Sequence, residues 1–222
     1  MKFYNRERDK IYFTSDNHFF HGNILKFCPE RYQFLSDDDL EIMKSGDSHA
    51  IRHLKVSENS IERMNNAMIE RWNSVVPKDG IVFFLGDFAL RCNSREVNNI
   101  RSALNGKIYF IEGNHDEVAG QIKDSFEWLG SYQEIKIEDK DTERGIQDIT
   151  LCHYAMKVWN HSHHGAIMLY GHSHRSLPDD PNLLSIDVGV DCHDFYPISY
   201  DQVKEIMKKK AFKPIDHHGD KK

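Results

Sequence analysis

The sequence predicts an α/β fold, and three observations carry that expectation. Three short apolar runs, "KIYFTSDNH", "GIVFFLGD" and "GKIYFIEGNHD", each stop at Ser or Gly and then deliver Asp, Asn or His. Helical periodicity with capping signals lies between them. The second half is richer in strand-like segments.

The apolar runs are nearly continuous in Ile, Val, Phe and Tyr, which suits strands buried on both faces. Asn59 followed by Glu62 reads as an N-terminal cap, after which Ile61, Met64, Met68, Trp72 and Val75 recur at helical spacing. Asn93 with Glu96 does the same before Val97, Ile100 and Leu104. Strand alternating with helix is the grammar of an α/β sheet. Four further strands are expected in "YQEIKIE", "IQDITLCH", "AIMLYGHSH" and "LLSIDVGVD", the first two joined as a hairpin across "DKDTERG". Ser199 with Gln202 marks a last helix containing Val203 and Ile206. Residues 28–58 carry charge without clear periodicity and read as an excursion off the sheet with room for a short helix. "SDDD" (Ser36–Asp39), "KKK" (Lys208–Lys210) and the tail 209–222, with His217 and His218, read as solvated.

Length and composition narrow the class. A chain of 222 residues, 39% hydrophobic and 29% charged, suits one soluble domain spanning 1–222. The net charge of −6 argues against general binding to long nucleic acid, which favours a basic face. No signal-peptide h-region opens the sequence, and no run approaches the roughly 18 apolar residues of a membrane span. Cys28, Cys92, Cys152 and Cys192 form no CxxC pair, which points to reduced thiols in a cytoplasmic protein.

The strand ends collect Asp16 and His18, Asp87, the trio Asn114, His115 and Asp116, then His153, His172 and His174. In open α/β sheets such ends converge on one crevice. Two carboxylates, one carboxamide and several imidazoles there offer N and O donors without thiolate, suited to Mn²⁺, Fe, Co²⁺, Ni²⁺ or Zn²⁺. His161, His163 and His164 precede a strand and read as a solvated turn, with the rim of a cleft as the other possibility.

Five motifs in order resemble those of the calcineurin-like metallophosphoesterases: Asp16-Asn17-His18, Gly86-Asp87, Gly113-Asn114-His115-Asp116, His153 and Gly171-His172-Ser173-His174. "DNHFFHGNILKFCPERY" and "MNNAMIERWNSVV" look like a compact bacterial and phage branch, relative to which residues 28–58 look like an insertion. The resemblance implies a two-sheet β-sandwich flanked by helices, in αββα order. It implies a first metal on Asp16, His18, Asp87 and His174, and a second on Asp87, Asn114, His153 and His172, with Asp87 bridging. His115 would face the substrate as proton donor or charge stabiliser, with Asp116 beside it in the catalytic set. Arg91 stands where related protein phosphatases place a phosphate-binding arginine, although Leu90 replaces the aspartate that orients their catalytic histidine. His21, near the first motif, is a second candidate for substrate contact.

The expected cofactors are two divalent ions, Mn²⁺ foremost. The expected reaction is hydrolysis of a phosphate ester by a metal-bridging hydroxide, and a phosphodiester is the favoured substrate. Phosphomonoesterase, nucleotide pyrophosphatase and nuclease activities remain alternatives on the same site. A non-catalytic metal-binding scaffold is the alternative from another class.

Overall fold

The computed structural model describes residues 1–215, so His217 and His218 lie outside the described residues. In chain order the strands are β1 (Lys2–Phe3), β2 (Ile11–Thr14), β3 (Ile81–Phe84), β4 (Lys107–Ile111), β5 (Glu127–Gly130), β6 (Tyr132–Glu138), β7 (Ile146–Cys152), β8 (Ile167–Tyr170), β9 (Ser185–Asp187) and β10 (Ile198–Ser199). The α-helices are α1 (Ile24–Phe27), α2 (Asp37–Lys44), α3 (Ser48–His53), α4 (Glu58–Val75), α5 (Ser94–Ala103), α6 (Glu117–Gly120) and α7 (Tyr200–Lys208).

Two five-stranded sheets form an α/β sandwich flanked by helices. The first has the order β10-β2-β3-β4-β5 and the second β1-β6-β7-β8-β9. In the first sheet β2 to β5 run parallel and β10 is antiparallel. In the second, β6 and β7 make the expected hairpin, with Tyr132 opposite Cys152 and Glu138 opposite Ile146, while β7, β8 and β9 run parallel.

Side-chain alternation on the strands sorts the core into layers. Phe83 on β3 and Ile111 on β4 join Phe13, Ile149, Leu151, Ile167 and Leu169 between the sheets. Val82, Phe84, Ile108 and Phe110 face the other way, onto Met64, Met68 and Trp72 of α4 and Val97 and Ile100 of α5. On the far side of the second sheet Met168 and Tyr170 pack with Cys152, Trp159 and Ala166.

The capping boxes at Asn93/Glu96 and Ser199/Gln202 are both formed. The cap of α4 is not Asn59: Ser57 accepts from the Ser60 amide, two residues earlier than the sequence suggests. Residues 28–58 contain a 3₁₀ segment (Pro29–Phe34) followed by α2 and α3, and they bury Phe34, Leu35, Met43 and Val56 in the core. Asp39 is not a solvated charge. It is buried, accepts from the Ser57 amide (3.0 Å) and from the hydroxyls of Ser57 (2.6 Å) and Ser60 (2.5 Å), and so ties α2 to the start of α4. The tail departs from expectation as well. Ala211 and Lys213 donate backbone hydrogen bonds to Pro181 and Asn182, and the buried Lys210 ammonium donates to the Ser185 carbonyl (2.6 Å).

Candidate metal centre

The expected ligands follow β2, β3 and β4, which run parallel in one sheet, and β7 and β8, which run parallel in the other, so the loops of each set emerge together. Asp16 and His18 follow β2, Asp87 follows β3, and Asn114 and His115 follow β4. From the other sheet, His153 follows β7, and His172 and His174 follow β8. The sheets meet at this edge through a parallel bridge between Ser15 and Gly189, with the Val190 amide donating to the Ser15 carbonyl (3.0 Å).

The backbone is strained where the ligands sit. Asp16, His18, Asp87, His172 and His174 all have left-handed φ, between 43° and 67°. Each such residue costs on the order of 1–3 kcal/mol, and clusters of this kind mark functional sites. Gly171 allows the two loops to touch, because a Cβ there would run into Ser15 Oγ and Asp16 Oδ2. The His172 amide donates to that same Asp16 Oδ2 (2.9 Å).

The expected ligands fall into two groups, Asp16 with His18 and His174, and Asp87 with His153 and His172. In the first, His18 Nε2 and His174 Nε2 lie 3.1 Å apart, and Asp16 Oδ1 is 4.0 and 3.8 Å from them. Asp16 Oδ1 is buried and has no hydrogen-bond partner. Burial pushes the Asp16 carboxyl up to about 7, against the pull of His174 and His153. Burial, with Arg31 and the neighbouring histidines, holds His18 well below its usual range and so neutral. An orphaned oxygen facing a neutral imidazole nitrogen is the environment a divalent cation satisfies.

In the second group, His153 Nδ1 lies 2.7 Å from the Leu85 carbonyl, which can only accept, so Nδ1 carries the proton. Its Nε2 then faces Asn114 Oδ1 at 3.1 Å and Asp87 Oδ2 at 3.6 Å, and in the neutral ring that contact sets acceptor against acceptor. His172, whose pKa is lowered by burial and by His153, supplies a third nitrogen. Asp87 Oδ2 is also 3.5 Å from His18 Nε2, so one oxygen reaches both groups. Asp87 Oδ1 accepts from the His115 amide (2.9 Å). The donors fit two divalent ions.

Around the ligands, the His18 ring has His21 at 5.4 Å and His115 at 5.8 Å between centroids. Burial, then the charge of the nearby Arg91, pushes His21 down to about 4. Arg91 itself is exposed, as is His115. Tyr154 packs edge-on against His153 and His172 and donates to Asn114 Oδ1 (3.4 Å). Asp116 turns inward, where its carboxylate accepts from the amides of Asp87 (2.8 Å), Phe88 (2.8 Å) and Gly113 (2.7 Å). That geometry makes it a brace between two ligand loops, with its oxygens directed at backbone amides. His161 precedes and His164 ends a 3₁₀ turn (Ser162–His164) near Asp148 and Gln147, on the hairpin side of the second sheet. No histidine of that clump joins either ligand group among the described residues.

Three residues of the site, Tyr154, Asp191 and Arg31, were missed by sequence reasoning. His174 Nδ1 lies 2.7 Å from Asp191 Oδ2, and Asp191 is paired with the fully buried Arg31. Asp191 carried a signal, since "SIDVGVD" repeats the pattern of an apolar run, a glycine and an aspartate. Arg31 lies within "DNHFFHGNILKFCPERY", the stretch that carries the resemblance to a compact branch, but nothing local marks it as the partner of Asp191.

An uncharacterized protein of Methanocaldococcus jannaschii is 28% identical over 206 residues, covering 90% of this chain and 92% of that protein. A crystal structure of a protein of unknown function from Aquifex aeolicus matches with a TM-score of 0.57 at 19% identity, covering 88% of this chain and 98% of that one, and is a likeness of fold. No helix among the described residues is long and apolar enough to cross a membrane. The calcineurin-like phosphoesterase family model matches residues 9–200 and thus encloses every ligand described above. The chain therefore belongs to the calcineurin-like phosphoesterase family, which implies metal-dependent hydrolysis of phosphate esters.

Proposed function

We propose that the protein is a binuclear metal-dependent phosphodiesterase, with Mn²⁺ as the favoured ion and a small phosphate diester or nucleotide as substrate. The observation that carries this reading is Asp87 Oδ2, placed 3.5 Å from His18 Nε2 and 3.6 Å from His153 Nε2. A carboxylate shared in this way would let the two groups hold a pair of divalent ions. The mixed N and O donor set suits Mn²⁺ and its neighbours better than a structural zinc.

Two ions held there would activate water and counter the charge of a phosphoryl group. The chain's own residues do the rest. Asp16, His18 and His174 would hold one ion and Asn114, His153 and His172 the other. His115, exposed beside His18, would meet the leaving oxygen and protonate it or offset its charge. Arg91 and His21 would contact the non-reacting phosphate oxygens. Asp116 would act by positioning Asp87 and Gly113. The exposure of Asn114, His115 and His172 supports a diester, since an open mouth leaves room for a second ester arm. The complete donor set favours an enzyme over a scaffold. Four free thiols support a reducing, cytoplasmic setting.

At equal metal loading, bis-nitrophenyl phosphate should show the higher kcat/KM when compared with the nitrophenyl monoester. A tenfold preference for the monoester, about 1.4 kcal/mol in transition-state binding, would replace this reading with a phosphomonoesterase. Absence of turnover in the fully loaded protein across mono- and diesters, cyclic nucleotides, dinucleotides and single-stranded nucleic acid would favour the scaffold.

A further inference from the structure

The two metal groups are built alike in their ligands but not in what stands behind them. The second group's His153 rests its Nδ1 on a neutral partner, the Leu85 carbonyl. The first group's His174 rests its Nδ1 on a carboxylate, Asp191, at 2.7 Å. Arg31 holds that carboxylate at two points, Nε to Oδ1 (2.7 Å) and Nη2 to Oδ2 (2.8 Å). The same guanidinium donates to the carbonyls of Asp16 (2.7 Å) and Asn17 (3.0 Å), the backbone of the loop that bears Asp16 and His18. All three ligands of the first group therefore hang from one buried ion pair. Arg31 itself comes from the excursion over 28–58 and Asp191 from beyond β9.

Burying such a pair is costly, and an apolar replacement of similar shape is often as stable, so the pair makes weak evidence for stability alone. Its value is directional. A carboxylate on the far nitrogen of a metal-binding histidine fixes the tautomer, aims the near nitrogen and raises its basicity. Cys28 with His174 and Asp191 is close enough to suggest an ion of its own. Both Asp191 oxygens are already committed to Arg31 and His174, which favours a brace over a third metal.

We propose that Asp191, clamped by Arg31, is the positioning carboxylate of the first metal site, and that it makes that site the tighter one and the first to fill. This rests on the assignment of His174 as a ligand.

The test is a calorimetric Mn²⁺ titration of chelator-stripped full-length protein, with His174→Ala identifying which step belongs to the first site. In Asp191→Asn the tighter step should weaken about 10–100-fold while the weaker step moves less than about threefold. Because that change leaves Arg31 as an unpaired buried cation, the double variant Arg31→Met/Asp191→Asn is measured beside it. Equal weakening of both steps with a lowered Tm would reduce the pair to a structural role and overturn the proposal, as would an unchanged tighter step. Zn²⁺-loaded wild type with ¹⁵N-histidine probes the same brace without any variant: His174 should carry a proton on Nδ1 and metal on Nε2, and the reverse overturns the proposal. Uptake of a single ion that is lost in the variant still supports Asp191 and overturns only the binuclear reading. Uptake of none overturns both.

Discussion

At Asp87 two demands meet on one carboxylate: Oδ2 serves both ligand groups and Oδ1 holds the His115 amide. Asp87→Asn should therefore lower metal content at both sites, while His174→Ala should mainly empty the first. Elemental analysis of the purified variants decides, and full loading of Asp87→Asn would contradict the bridge. His115 makes a different prediction, because its ring belongs to neither ligand group yet stands exposed at the mouth. An alkoxide leaves poorly without a proton, so a donor there should be worth about 10²–10⁴-fold. A nitrophenolate needs little help. His115→Ala should keep both metals, lose much activity on a nucleoside-type ester and lose less on the nitrophenyl ester. Equal losses on both would assign His115 to charge stabilisation. These residues were legible because each sits close behind an apolar run. Asp191 shares that signal, but its pairing with Arg31 was not legible, since the two lie 160 positions apart and only folding joins them.

Among elements, the strand that matters most to the site is β8, whose end must pass directly over Asp16. Gly171→Ala should be severe, because the Ser15 side chain and the Asp16 carboxylate that a Cβ would meet are both fully buried and have no room to yield. Overpacking of this kind costs about 1–3 kcal/mol or more. The expected outcome is a lowered Tm together with loss of the tighter metal step. A variant that binds both ions normally would show that the loops have slack. Elements with a local chemical signature were readable: two capping boxes, the hairpin and three parallel strands. Ser57 rather than Asn59 caps α4 because Asp39, 18 residues earlier, draws Ser57 into a buried hydroxyl cluster. That partner is invisible at the helix itself. The helices of 28–58 likewise lack a clean apolar stripe because their packing is spread across a few side chains, Phe34, Leu35, Met43 and Val56.

For the whole molecule, a second buried carboxylate gathers distant segments away from the metals. Asp139, in the hairpin turn, is contacted by Arg8 (3.0 Å), by the Tyr200 hydroxyl (2.8 Å) and by Lys204 (2.5 Å) of α7. Burial alone would raise its pKa, but the bonds from Lys204 and Tyr200 outweigh that and hold it below the usual value. A depressed folded pKa stabilises above the unfolded value of roughly 3.9, and the benefit is lost as pH falls through the folded value. Denaturant melts of metal-stripped protein should show this loss below about pH 4. Asp139→Asn should cost on the order of 1–3 kcal/mol at neutral pH and flatten the acid limb. An unchanged acid limb would place the sensitivity elsewhere.

Below the candidate ligand groups, the two sheets share the backbone bridge at Ser15 and Gly189, and the residues of those groups come from both sides of that seam. An ion seated among Asp16, His18 and His174, as proposed, would thus be a rivet through two plates. Draining the ions from such a joint does more than silence a reaction. It removes one tie along this edge and leaves the Ser15–Gly189 bridge and the Arg31–Asp191 clamp to carry the joint, so a chain starved of metal should be cut there by proteases sooner than a loaded one.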